Sequence, residues 1–187
     1  MTYNEYRQLR LYARYDGFYA SILLLGSFAC FLALSLTEEK SGTWMLLTSL
    51  CPLIVLFTPL FLYHRLCKFR DEGLKGNIQF QRALIYGIRT TTNAAFFFSL
   101  VQYVYMRIAG NGQLVHIIER MLISDRQNTE AALKSMGMTI SNYIEQLHAI
   151  TPLALACNSF IMLAFGGIVL SFLFAVLIKK TNTRNLI

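Results

Sequence analysis

Four long apolar runs alternate with short polar stretches along the chain: Gly17–Leu36, Trp44–Tyr63, Ala83–Met106 and Pro152–Ile178. An α-helix rises 1.5 Å per residue and the hydrocarbon core of a bilayer is roughly 30 Å thick, so roughly 20 helical residues cross it. The first, second and fourth runs contain no charged residue, and the third contains only Arg89. The pattern predicts four membrane spans. The fold class it implies is an all-α, integral membrane four-helix bundle in a single domain covering residues 1–187. The first run follows a long, tyrosine-rich leading segment. It ends at Leu36-Thr37-Glu38-Glu39, which has no small-x-small cleavage pattern, so it reads as a retained span rather than a signal peptide.

The stretches between the runs carry their own periodicity. In residues 3–16, Arg7, Arg10 and Arg14 form a basic stripe, and Tyr12, Tyr15 and Tyr19 share a face. This predicts a short amphipathic helix at headgroup level that turns into the first span. The loop Thr37–Thr43 is short and makes the first two spans a hairpin, with Trp44 as an interfacial anchor. Pro52 removes a backbone donor and frees the carbonyl of Thr48, which predicts a kink. The basic loop His64–Gln79 contains Gly73 and Gly76 and leads into a third helix beginning near Asn77. Residues 109–150 predict three short amphipathic helices on the outer side. The first has Leu114, Ile117, Ile118, Met121 and Leu122 on one face. The second opens on a Ser124–Gln127 capping box and ends near Gly137. The third is striped by Ile140, Tyr143, Ile144 and Leu147. Thr151-Pro152 reads as the N-cap and first residue of the last span.

Composition agrees with this class. Hydrophobic residues make up 55% of the chain and charged residues 14%, against roughly a quarter in soluble domains. The net charge of +7 is unevenly distributed. Eleven Lys and Arg residues lie in the leading segment, the loop between spans two and three, and the tail (Lys179, Lys180, Arg184). Five lie on the other side, over a longer stretch. The positive-inside rule therefore puts both termini in the cytoplasm. Basic residues flanking spans are matched by anionic lipid headgroups, so membrane lipids rather than nucleic acid are the expected partners. Cys30, Cys51, Cys67 and Cys157 show no CxxC or zinc spacing and read as apolar fillers.

Candidate chemistry is sparse. Arg89 and Asn93 stand at i and i+4 in the third span, where an ionisable group is costly and marks either function or an ion pair. Arg89 can snorkel to the cytoplasmic interface. Asp16, at the mouth of the first span, is its expected carboxylate, so Arg89, Asn93 and Asp16 form the candidate intramembrane polar site. Gln102 and Asn158, near the outer ends of their spans, are expected to hydrogen-bond between helices. His116-x-x-Glu119 and Glu145-x-x-His148 have metal-ligand spacing, but the helical wheel turns His116 and Glu119 away from the apolar face. No HExxH, GxSxG or Walker pattern occurs. No catalytic, cofactor-binding or metal-ligating residue is therefore assigned. Gly166, Gly167, Ala164 and Ser171 form a small-residue patch for helix packing.

Gly76-x-Ile78-x-Phe80-x-x-Ala83-x-x-x-Gly87, the Met136-Gly137-Met138…Ile144 segment and the Thr151-Pro152 helix start resemble a family of small four-span inner-membrane proteins of Bacteroidota, classed as a domain of unknown function. The resemblance implies a location in the bacterial inner membrane and brings no catalytic residues. It also points to genes beside a membrane-associated glycosyltransferase. The expected function is a non-enzymatic inner-membrane subunit that scaffolds such an enzyme in envelope glycolipid synthesis, with a protein partner or self-association. The rival expectation is a small oligomeric transporter or lipid flippase.

Overall fold

A computed structural model describes residues 3–38, 41–110, 112–124, 126–135 and 137–178. Glu39, Met136 and the tail residues Lys179, Lys180 and Arg184 of the sequence reading lie outside them. Among the described residues the elements are helical throughout: α1 (Tyr3–Ala33), α2 (Gly42–Lys68), α3 (Phe80–Ala109), α4 (Gly112–Ser124), α5 (Arg126–Ser135), α6 (Ile140–Ala149) and α7 (Pro152–Ile178). A 3-10 turn, Leu34–Leu36, ends α1, and a π-helical turn, Phe69–Gly73, continues α2. The three short helices expected between residues 109 and 150 are all present. α1 differs from expectation. The amphipathic leader and the first apolar run form one unbroken helix, because nothing between Tyr3 and Ala33 breaks the hydrogen-bond ladder. α2 likewise stays helical through Pro52 and Pro59.

Three helical stretches are long and apolar enough to cross a membrane: Tyr3–Leu36, Gly42–Gly73 and Pro152–Ile178. α3 is not among them. Its apolar character is diluted by Ser, Thr, Asn and Gln, and the reason lies in its position. α3 packs along both α1 and α7, while α1 also packs on α2. Its inward positions are Ala83, Tyr86, Thr90, Thr91, Ala94, Ala95, Ser99, Gln102 and Met106, recurring at intervals of three or four and mostly small. Small residues let backbones approach, and short hydroxyls fold back onto their own helix: Thr90 Oγ1 donates to the Tyr86 carbonyl at 2.8 Å, and Thr91 Oγ1 to that of Gly87 at 3.0 Å.

The crossings are close. A Cβ on Gly17 of α1 would lie 2.7 Å from the Thr90 carbonyl oxygen. A Cβ on Gly87 would meet the Ser171 side chain of α7 at 2.7 Å, and one on Gly167 would collide with Thr91. The small-residue patch of α7 thus divides in two: Gly167 and Ser171 are buried against α3, whereas Gly166 faces open space.

Successive long helices run in opposite directions. At one end Leu9, Ala13, Leu66, Phe69, Ile78, Ala83, Tyr86, Ala175 and Ile178 form a core. Lys75 and Gly76 carry positive φ, 52° and 86°, as the chain turns from α2 into α3. Ile78 then plugs this core, so the Gly76-x-Ile78…Gly87 motif is a turn, a plug and a crossing point.

At the other end Leu34, Trp44 and Ile117 are buried together. Trp44 is not an exposed interfacial anchor. Its ring lies under α4, with the Arg120 guanidinium 4.5 Å above it. Arg120 Nη1 and Nη2 also donate to the carbonyls of Leu34 and Thr37 at 3.1 and 2.7 Å, capping the end of α1. Arg120 is therefore the clasp between α4 and the α1–α2 hairpin.

Gly17→Leu and Gly167→Leu should each destabilise the detergent-purified protein by about 1–3 kcal/mol, the usual cost of overpacking. Gly26→Leu, where nothing lies within 4 Å, should not. Thermal unfolding checks this, and equal losses at all three glycines would refute the crossing geometry. Arg120→Ala should leave the long helices intact and hasten proteolytic cleavage between residues 109 and 150. Unchanged cleavage rates would show that Arg120 is no clasp.

Candidate functional site

Asp16 is the most deeply buried acidic side chain among the described residues, 1% exposed on α1. An isolated carboxylate in an apolar interior is very costly, so it must be met by donors. Two arrive from two other helices. Arg65 of α2 forms an ion pair with it, its Nε donating to Oδ1 at 2.6 Å. The Tyr86 hydroxyl of α3 donates a short hydrogen bond to Oδ2. The Tyr86 ring is stacked on Phe69, with ring centroids 4.6 Å apart and 8° between planes. Phe69 in turn touches Tyr12 at 5.4 Å. Asp16 thus joins α1, α2 and α3 at a single point.

This corrects the expected Asp16–Arg89 pair. Asp16 turns to Arg65 and Tyr86. Arg89 donates instead to the Tyr6 hydroxyl, and its guanidinium carbon lies 4.8 Å from the centre of the Tyr6 ring. Asn93 lies beside it, donating to the Ala13 carbonyl at a long 3.5 Å. The candidate triad therefore splits into two clusters, Asp16 with Arg65 and Tyr86, and Arg89 with Tyr6 and Asn93. Arg89 and Asn93 line a pocket of about 400 Å³ with Arg10, Arg14, Phe96 and Phe97. Arg10 and Arg14 belong to the stripe read as headgroup-facing, and only the packing of α1 on α3 shows that they join Arg89.

The inter-helix amides also depart from expectation. The Gln102 oxygen is buried with no hydrogen-bond partner. Asn158 is exposed and lines a cleft between α2 and α7. The two are not bonded to each other. Gln102 is buried because it sits on the inward stripe of α3, and the residue opposite need not be polar for the helices to pack. No group of three or more His, Cys, Asp or Glu among the described residues could hold a metal ion. His116, Glu145 and His148 are exposed, consistent with a solvated face. The four cysteines are free.

The remaining charges at the α1 N-terminal end are largely paired. Arg82 at the start of α3 bonds Glu5 in the first turn of α1 at 2.8 Å, and Arg70 holds Asp71 through two bonds of 2.7 and 2.9 Å. Glu5 also suits the positive end of the α1 dipole.

A family model described as "Protein of unknown function (DUF4199)" matches residues 15–180. The chain belongs to the DUF4199 family. The match covers α2, α3, α7 and the part of α1 from Tyr15 onward, so Asp16, Arg65, Tyr86, Arg89 and Asn93 all fall within the DUF4199 region, whereas Tyr6, Arg10 and Arg14 precede it. No curated protein and no solved structure matches the chain.

Asp16→Ala should cost about 3–5 kcal/mol of stability, because it strands the Arg65 charge. Arg65→Met in the same chain should cost little more. Thermal unfolding of the two single mutants and the double mutant measures the coupling, and additive losses would exclude the pair.

Proposed function

We propose that this DUF4199 protein is a non-enzymatic subunit of the bacterial inner membrane that scaffolds a membrane enzyme, a glycosyltransferase of envelope glycolipid synthesis. In this reading α1, α2, α3 and α7 all cross the bilayer as a four-helix bundle. The Arg-rich end with both termini lies in the cytoplasm, and α4–α6 lie outside. Support for α3 as a span comes from its 30 residues packed beside α1 and α7, which cover its polar positions.

The observation that carries the scaffold reading is an open cleft. α2 and α7 meet at one end, where Tyr63 lies 5.4 Å from Phe174, and part towards the other. Between them lies a hollow of about 430 Å³ lined by Ser27, Pro52, Phe98, Asn158 and Met162, among others. It continues into a smaller one of about 150 Å³ flanked by Thr58, Pro59 and Gly166. Gly166 offers a small-residue surface unused within the chain, and Asn158 an exposed amide at membrane depth. Small residues and hydrogen-bonding amides are what hold helices together in lipid, so the cleft suits a transmembrane helix of a partner.

Affinity purification from native membranes in mild detergent should recover a second membrane protein in stoichiometric amount. Gly166→Leu with Met162→Trp should release it without lowering the unfolding temperature. Recovery of the protein alone would remove the reading. Cysteines introduced at Lys75 and Glu130 should be labelled from opposite sides of the membrane; labelling from one side would refute the topology.

The alternative is a small oligomeric transporter or lipid flippase. Pro52 and Pro59 on the cleft wall favour it, since each leaves a carbonyl without its helical donor. A cysteine-accessibility scan of α3 from Asn93 to Gln102 decides between the two. Asn93, Phe96 and Phe97 already line the hollow beside Arg89, so water-accessible positions beyond Phe97 favour transport, and none there would dismiss it.

A further inference from the structure

We infer that the pocket formed by Arg10, Arg14, Arg89 and Asn93 binds a phosphate group carrying two or more negative charges. The inference goes beyond the subunit reading and does not depend on any protein partner. Three guanidinium-bearing side chains from two helices line one hollow of about 400 Å³. Like charges gathered in this way repel one another unless an anion sits among them. For three other arginines at this end of the molecule the protein supplies an anion: Asp16 for Arg65, Asp71 for Arg70 and Glu5 for Arg82. No carboxylate among the described residues lies within ion-pair distance of Arg10, Arg14 or Arg89.

Arg89 is also held in place. Its Nη2 donates to the Tyr6 hydroxyl and its guanidinium carbon lies 4.8 Å from the centre of the Tyr6 ring, which leaves the other guanidinium N–H groups available. Asn93 is tethered to the Ala13 carbonyl. A fixed guanidinium loses little entropy on binding, and its forked donors match phosphate oxygens. Three positive charges exceed what a phosphodiester with a single charge can balance. A phosphomonoester or a diphosphate fits better.

The remaining walls suggest where the phosphate comes from. Phe96 and Phe97 line the apolar side of the pocket, and Phe97 meets Phe18 of α1 edge-to-face at 5.6 Å. Phe18 and Phe96 are about half exposed, at 48% and 54%, on the outer surface of the long helices. A lipid could place its phosphate among the arginines and lay its chains along these rings. A soluble phosphate or diphosphate would use the arginines alone.

The test uses the full-length protein in detergent, with native mass spectrometry for retained ligand and thermal unfolding for stabilisation. The probes are dioleoyl phosphatidic acid, phosphatidylglycerol, phosphatidylcholine and inorganic pyrophosphate. Phosphatidic acid should be retained and raise the unfolding temperature, with phosphatidylglycerol retained about tenfold less and phosphatidylcholine not at all. Pyrophosphate should compete only weakly if the natural ligand is a lipid. If pyrophosphate binds as well as phosphatidic acid, the site stands and its source is soluble.

Arg10→Gln and Arg14→Gln should each reduce retention about tenfold, roughly the worth of one charge-assisted hydrogen bond. Both side chains are exposed, so these variants should fold like the parent. Arg107→Gln, at the far end of α3, should bind as the parent does. Equal retention of both anionic lipids, or retention unaffected by Arg10→Gln and Arg14→Gln, would overturn the inference. So would failure of all four probes to bind.

Discussion

The buried carboxylate of Asp16 is the constraint on which the arrangement of the long helices depends. It sits on α1, its countercharge comes from α2 and its second donor from α3. A charged group in an apolar interior permits few alternatives, because every competing helix arrangement that leaves it unpaired costs several kcal/mol. Well-packed apolar residues at the three positions would allow the helices to slide. Asp16, Arg65 and Tyr86 set the rotation and depth of each helix relative to the other two.

With that point set, α3 can occupy the middle of the structure. Its neighbours approach closely because the contact residues are small: Gly17 against the Thr90 backbone, Gly87 against Ser171, and Gly167 against Thr91. Between helices already surrounded by lipid, apolar burial contributes little, and close packing with satisfied hydroxyls contributes more. This accounts for a central helix less apolar than the three around it. The opposite end is closed by another arginine. Arg120 covers Trp44 and takes up the carbonyls at the end of α1, which ties α4 down and positions the α4–α6 segment.

The arginines of this protein thus have three different roles. Arg65 neutralises a buried acid, Arg120 caps a helix end, and Arg10, Arg14 and Arg89 gather around a hollow. The same side chain serves all three because guanidinium is always charged, planar and rich in donors. Which role it takes depends on whether a neighbouring element brings a carboxylate, a row of carbonyls or neither.

Hydrophobic run lengths and helical periodicity were enough to place the start of α7 at Pro152, the short connection between α1 and α2, and the three short helices between residues 109 and 150. These are local properties: span length, capping residues and amphipathic stripes are written in contiguous residues. The candidate site was only half legible. Arg89, Asn93 and Asp16 stood out because charged and polar groups in apolar runs are rare, but their partners did not. Asp16 lies 49 residues from Arg65 and 70 from Tyr86, and Arg89 lies 83 from Tyr6. Such pairings depend on how helices rotate and cross, and a one-residue change of register at Gly17 would select different neighbours. Sequence alone therefore determined which elements form and which residues need partners. The tertiary structure decided who those partners are, because it brings together side chains that no local pattern connects.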